Sequence, residues 1–431
     1  MTNFRLESGS PERPSGPINS TLLFVVVTLV LIGVTLVYAT TCHKGVAFLS
    51  SQVLRAAAGL LVLFLGAKLR YTTWNRRVKW WLLFGSVAML MLTLVAGLMF
   101  KDVKRALGGD KFSFQPAEFA KYGLLVWLAG YFDWAKGKGL EKRLVWGLLV
   151  PGAAVFGVVG LTLLQPAVGT SFIIAVVSLA VFVIAGVRWW HVLLTVVAAV
   201  VLFVGAISFI SYAHDRWERF TSGKHHQQEQ SLIAIGSGGP FGRGLGEGRQ
   251  KYQFLPKMYN DFIFAEIGEE FGFIGSAAVC LLYLILFLYG MRVSNESSAP
   301  FGQFLASGIT FAIFLYAIVH VAVTLGVIPT TGQPLPFISS GGSALLSNLF
   351  AAGVLLNISR YKRSRTVMNM PAASRYRAAG FGRQSSPARH KVLVFGGFGA
   401  KLPGATSHAH YSVRHAPSRR AASSLLRRAS P

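Results

Sequence analysis

The apolar positions of this chain fall into ten long blocks, at about residues 21–39, 45–69, 78–100, 116–132, 144–164, 168–187, 189–211, 271–291, 301–327 and 344–358. Charged or glycine- and proline-rich breaks separate them. A bilayer crossing needs roughly 20 apolar residues, with a range of about 17–25. The pattern therefore predicts an all-α polytopic membrane protein of about ten transmembrane helices. The fourth and last blocks are short and carry polar residues. The first is followed by Tyr38-Ala39-Thr40-Thr41-Cys42, which offers neither a clear Ala-x-Ala cleavage site nor a convincing lipobox, so it is read as a retained helix. One large excursion, at about 212–270, lies between helices seven and eight. No internal repeat is visible.

Composition sharpens this picture. Hydrophobic residues make up 53% and charged residues 13%, against about 25% charged in soluble domains. With 32 Phe, 9 Trp and a mean hydropathy of +0.51, the chain holds more apolar sequence than a soluble interior can bury. Cys42 and Cys280 are the two cysteines, which excludes a disulfide scaffold or a Cys-rich metal site. Of the formal charge of +26, +15 belongs to residues 360–431, which carry no Asp or Glu, and +11 to the rest. The basicity is a tail property and does not indicate nucleic-acid binding.

Lys/Arg asymmetry sets the orientation. Arg70, Arg76, Arg77 and Lys79 follow the second block, and Lys136, Lys138, Lys142 and Arg143 follow the fourth. Both termini are placed in the cytoplasm, and the excursion at 212–270 outside it. Three segments result: a cytoplasmic lead at 1–20, a transmembrane domain at 21–360 and a basic tail at 361–431. Lys362, Arg363 and Arg365 stand where anionic lipid headgroups would meet them. Beyond about Met370, Ala/Ser/Pro/Arg-rich sequence without a periodic apolar face reads as disordered.

Polar residues at membrane depth are costly and point to function. Glu118 and Lys121 stand at i,i+3 on one face of the fourth helix, as an ion pair or as a functional pair. Gln165-Pro166-Ala167-Val168-Gly169-Thr170 breaks the chain between two spans, which a tight turn alone would explain. The glycine-dense stretch from Gln230-Ser231 to Gly248 contains no phosphate-binding fingerprint, so close packing or loop flexibility competes with ligand binding. Arg249, Lys251 and Lys257 follow it as cations suited to a diphosphate. Asp261, with Glu266, Glu269 and Glu270 behind it, is either a helix cap or a catalytic carboxylate. Residues 329–343 hold three prolines and three glycines at membrane depth. Non-helical backbone there must be buried in protein or line a wet cavity. A lone His320 reads as a packing residue, and no His/Cys/Asp/Glu spacing suggests a bound metal.

Taken in order, these motifs resemble a known family. The run from Gln230 through Gly236-Ser237-Gly238-Gly239 is followed by Gly242, Gly244-Leu245-Gly246, Arg249-Gln250-Lys251 and Leu255-Pro256. Asp261-Phe262-Ile263-Phe264-Ala265 and Ile267-Gly268-Glu269-Glu270-Phe271-Gly272 come next. Together with 115–121 and 329–343, they are similar to the SEDS proteins of bacterial shape, elongation, division and sporulation. The wording at 248–251 and 329–332 leans towards the division branch.

The resemblance implies ten helices and a peptidoglycan glycosyltransferase that polymerises lipid II outside the cytoplasmic membrane, at the division septum. The family's catalytic aspartate corresponds to Asp261. A sugar hydroxyl is a poor nucleophile, so a carboxylate must take its proton during attack on the anomeric carbon. The leaving undecaprenyl diphosphate needs Arg, Lys or a divalent cation such as Mg or Mn. Arg105, Arg249, Lys251 and Lys257 are the expected cations, and Glu118, Lys121, Gln230, Ser231, Ser339 and Ser340 the further substrate contacts. The implied partners are membrane lipids, a single-pass class B penicillin-binding transpeptidase and other division proteins, with no nucleic acid.

The chain also departs from the family pattern. Lys257-Met258-Tyr259-Asn260 replaces the usual Glu-Ala-His-Thr, Ala167 a usual aspartate, Ala106 a common tryptophan and His226 a usual tyrosine. Two other functions therefore stay open: a lipid II flippase, since broken helices around a cavity also suit transport, and a non-catalytic division scaffold. Dependence on Asp261 favours the enzyme, and dependence on Glu118 and Lys121 with Asp261 dispensable favours transport.

Overall fold

The computed structural model of the chain describes residues 14, 16–41, 46–75, 78–99, 106–109, 112–222, 226–250 and 258–362. All belong to one compact unit, 1–382, while the second, 383–431, lies outside them. Most of the expected lead at 1–20 and the tail beyond Lys362 are likewise outside the described residues.

The apolar blocks become α1 (Ser20–Thr41), α2 (Val46–Lys68), α3 (Val78–Met99), α4 (Pro116–Gly137), α5 (Val150–Leu164), α6 (Val168–Ala185) and α7 (Trp189–Phe209). The excursion that follows carries α8 (Ser211–Thr221), α9 (His226–Gly238) and the one-turn α10 (Met258–Asp261). Then come α11 (Ile263–Glu296), α12 (Pro300–Thr324) and α13 (Gly342–Ile358). Eight of these helices (α1–α3, α5–α7, α11 and α12) are long and apolar enough to cross a bilayer. Two more, α4 and α13, bring the bundle to the expected ten. The first carries Glu118, Lys121 and Asp133, and the second has only 17 residues.

Burial explains how those two are tolerated. α4 is enclosed along nearly its whole length, from Pro116 to Phe132, and α13 from Ser343 to Ile358. Helix α7 is at the other extreme: it buries Ala206 alone among its described residues and turns Trp189, Val201 and Phe209 outward. Apolar side chains in that position match lipid. A shared axis is set by α2 and α13, whose backbones approach closely. A Cβ at Gly66 would lie 2.7 Å from the Phe350 carbonyl oxygen, and one at Gly353 would fall onto the carbonyl of Leu63. Asn357 on α13 pins the far end, donating to the Ala67 carbonyl at 2.7 Å and accepting the Tyr71 N–H at 3.1 Å.

Two features differ from the sequence pattern. A small antiparallel hairpin pairs β1 (Leu107–Gly109) with β2 (Phe112–Phe114) in an otherwise helical chain. Helix α11 starts at Ile263 rather than near 271, because the polar stretch with Glu266, Glu269 and Glu270 is helical and buried in protein. Gly272, at φ 66° and ψ −161°, breaks α11 between that buried first segment and the apolar span that follows.

Candidate active site

The glycine-dense loop closes the break in α11. The carbonyls of Glu269 and Glu270, left open where the first segment ends, accept the N–H groups of Arg243 and Gly244, each at 3.0 Å. The N–H groups of Phe273 and Ile274, which open the second segment, donate to the carbonyls of Gly239 and Pro240 at 2.9 and 3.2 Å. Broken helices leave such groups unpaired unless something else meets them. A Cβ at Gly272 would collide with the Gly242 nitrogen, so the approach needs glycine there as well as its positive φ. The glycine density thus serves close packing, one of the two alternatives that the sequence left open. Carboxylates complete the seal: Glu270 accepts the Gly246 N–H at 2.9 Å, and Glu269 accepts those of Arg249 at 2.7 Å and Gln250 at 3.3 Å.

Asp261 ends the single turn of α10 and is half-buried. The N-cap of α11 is Phe262, and no side chain caps that helix. Asp261 is therefore not an N-cap. Its Oδ1 accepts the amide of Asn260 at 2.7 Å. The backbone leading to it is held by residues 329–343: Ser339 Oγ donates to the Asn260 carbonyl at 2.8 Å, and the Ser340 N–H donates to the Tyr259 carbonyl at 3.2 Å.

That run is itself tied to five helices. The Gln333 amide donates to Thr170 of α6 at 3.1 Å, and its carbonyl meets His320 Nδ1 of α12 at 2.8 Å. The Tyr283 hydroxyl of α11 donates to the Pro336 carbonyl. Ser343 Oγ accepts the N–H of Gln115, which precedes α4, at 3.0 Å. Arg55 of α2 donates to the Ser340 carbonyl at 3.2 Å. Within the run, Phe337 is a non-glycine residue at φ 69°, buried at 2% exposure. Such a conformation persists only where the surroundings over-determine it.

The polar pair on α4 packs against α12 and α13. Glu118 and Lys121 are buried and form an ion pair at 2.6 Å. Lys121 Nζ sits 3.9 Å from the Tyr316 ring centroid and 3.4 Å from Asn348 Oδ1, which also accepts the Tyr122 hydroxyl at 2.6 Å. The cavity beside Lys121 measures about 10 Å³, at the lower limit for a single water.

The expected site residues make different contacts in the structure. Ser339 and Ser340 stand at Asp261, holding its backbone. Ser231 docks α9 onto α12 by donating to the Thr324 carbonyl at 2.8 Å, and Gln230 beside it is half-buried. Arg249 has its side chain exposed. Arg105, Lys251 and Lys257 lie outside the described residues. Arg55 was not among the residues expected at the site, although a charge near the middle of the block at 45–69 is a signal of the kind that marked Glu118. Gln228, which donates to the carbonyls of Val323 and Ile328 at 3.1 and 2.8 Å, was also missed.

A cation site does not follow from these carboxylates. Glu269 and Glu270 are engaged by loop amides, and no group of three His, Cys, Asp or Glu among the described residues is arranged to hold a metal ion.

A groove of about 880 Å³ runs between α5, α6 and α7. Its walls are almost wholly apolar, including Phe156, Phe172, Leu194 and Phe203. At one end it meets Ile328–Thr331, the start of the run that clamps α10, and there Arg216 of α8 donates to the Thr330 carbonyl.

Comparison with known proteins gives a consistent result. The family model for FtsW, RodA and SpoVE, described as cell cycle protein, matches residues 17–364. A probable peptidoglycan glycosyltransferase FtsW of Trichlorobacter lovleyi is 35% identical over 78% of this chain and 92% of its own. The stage V sporulation protein E of Bacillus subtilis is 34% identical over 79% of this chain and 97% of its own. Among solved structures, the rod shape determining protein RodA of Thermus thermophilus is 26% identical with a TM-score of 0.59, covering 80% of this chain and 98% of that one. A chain of a peptidoglycan synthase complex, studied for its coordination of polymerization and crosslinking, shares the fold at a TM-score of 0.65 and 24% identity, covering 80% of this chain and 99% of its own.

Proposed function

The chain belongs to the FtsW, RodA and SpoVE family of cell cycle proteins, and on that premise we propose that it is a peptidoglycan glycosyltransferase polymerising lipid II in septal cell-wall synthesis. Asp261 is the general base. It takes the proton of the acceptor sugar hydroxyl as that oxygen bonds to the donor's anomeric carbon, and the bond to undecaprenyl diphosphate breaks. Arg249, with Arg105, Lys251 and Lys257, offsets the charge on the leaving diphosphate.

One observation carries this reading. The clamp from Ser339 and Ser340 fixes the backbone before a half-buried carboxylate that does not cap the next helix. The apolar groove supports a lipid-linked substrate, since it opens between outer helices and ends on the same run. On this reading both termini face the cytoplasm, α8–α10 face outward, and a class B penicillin-binding transpeptidase is the partner. The flippase alternative draws on the buried Glu118–Lys121 pair, but the cavity of about 10 Å³ beside it offers no passage for a headgroup.

The test is glycan-strand formation from fluorescent lipid II by the purified protein with its transpeptidase partner. Asp261→Asn keeps the shape and removes the base, and should lower the rate by about 10²–10⁴-fold with normal expression. Wild-type rates from that variant would overturn the assignment.

A further inference from the structure

Arg55 stands inside the apolar block that forms α2, where a charged side chain is expensive and a leucine would serve the helix better. Its location is set by a close helix pair. Gly66 and Gly353 let α2 and α13 meet nearly backbone to backbone, and Gly59 admits the Leu349 side chain, which carries the Arg55 stem to within 4 Å of where a Gly342 Cβ would stand. From there its Nη1 donates to the Ser340 carbonyl at 3.2 Å. The N–H of the same Ser340 donates to the Tyr259 carbonyl at 3.2 Å, and the neighbouring Ser339 Oγ donates to the Asn260 carbonyl at 2.8 Å. A Cβ on Gly341 would come within 3.3 Å of Asn260 Oδ1, so the run and α10 are also in direct contact. A short path of hydrogen bonds therefore leads from a rigid transmembrane helix to the residues that immediately precede Asp261.

We propose that Arg55 is a positioning residue for Asp261, acting through Ser340 and Tyr259; this deepens the glycosyltransferase reading and rests on it. The Ser340 carbonyl sits just before two glycines, Gly341 and Gly342, whose backbone is easily rotated. Arg55 holds that carbonyl from a helix that cannot move without parting from α13. Without it, residues 339–342 gain freedom, α10 follows, and Asp261 samples positions from which it misses the acceptor proton. Misplacement of this kind lowers the rate of chemistry far more than it lowers binding.

The experiment compares wild type, Arg55→Leu, Arg55→Gln and Arg55→Lys, each purified with the transpeptidase partner. It reads kcat and KM for lipid II polymerisation, and hydrogen exchange of the peptide covering 258–262. Leucine suits the membrane but donates nothing, and glutamine is too short to reach the carbonyl. Both should lower kcat by about 10- to 100-fold, leave KM within about twofold and speed exchange at 258–262. Lysine can donate to the same carbonyl and should restore part of kcat and of the exchange protection. Should the leucine variant fail to insert, the glutamine variant carries the same readings. Unchanged kcat in the leucine or glutamine variant overturns the proposal, as does a raised KM at unchanged kcat, which would make Arg55 a substrate contact. If the wild type itself forms no strands, the glycosyltransferase reading fails instead. Exchange at 258–262 then still decides whether Arg55 holds α10, and unchanged exchange overturns that link.

Discussion

Ser339 Oγ donates to the carbonyl of Asn260 at 2.8 Å, one residue before Asp261, while accepting the Leu335 N–H at 2.9 Å. One hydroxyl thus closes a turn within the non-helical run and fastens that turn to the backbone of the proposed base. Ser339→Ala leaves a buried N–H and a carbonyl without that partner, at about 1–3 kcal/mol for each group. Strand formation should fall at least tenfold, with a lower melting temperature in detergent. Both readings at wild-type levels would show that the clamp is dispensable.

Gly33 on α1 presses on the same run from the other side. A Cβ there would lie 2.7 Å from the Ile338 Cα and 2.8 Å from the Phe337 carbonyl oxygen. Gly33→Ala must push Phe337, already at positive φ, and should cost about 1–3 kcal/mol as overpacking. Gly157→Ala on α5 meets nothing within 4 Å and serves as the control. The expected result is reduced polymerisation and a lower melting point for the first variant and near-wild-type behaviour for the second. Equal behaviour would contradict the packing argument.

The buried Glu118–Lys121 pair gives an asymmetric prediction. Removing one partner strands a charge in the bundle, at about 3–5 kcal/mol, whereas replacing both with apolar residues is often neutral. Glu118→Leu or Lys121→Met alone should lower the melting temperature sharply, and the double substitution should recover most of it. A double variant no more stable than the worse single one would mean that the pair is not a closed unit, and that Asn348 or Tyr316 depends on its charge.

Ala167 occupies the N-cap of α6 without a side-chain hydrogen bond. Ala167→Asp supplies an acceptor for the first-turn N–H groups of α6 and should stabilise the fold by about 1 kcal/mol. A calorimetric or fluorescence melt would show the rise. A fall would mean that burying the carboxylate there outweighs the cap.

Much of this molecule was legible before any coordinates. The ten apolar blocks became ten helices in order, and the end of each was marked by the charged or glycine-rich breaks. Asp261 and the run at 329–343 stood out as polar or irregular sequence in a setting that penalises both. The start of α11 was not legible, because Glu266, Glu269 and Glu270 look like solvent-facing loop until the glycine loop is seen to cover them. The structural tie of Ser231 was not legible either: its hydroxyl holds α9 on α12.

The division has a physical cause. Hydrocarbon admits few backbone arrangements, so length and hydropathy marked most of the spanning helices and their order, while α4 and α13 depend on burial in the bundle. Family motifs, read residue by residue, singled out Asp261 as the expected base. Hydrogen bonds between segments far apart in the chain leave no such trace. That Arg55 would meet Ser340, Ser339 would meet Asn260, or Glu269 would meet Arg249 was decided by how the helices pack, because each of those groups had several partners open to it until close backbone contacts at Gly66, Gly353 and Gly272 removed the others.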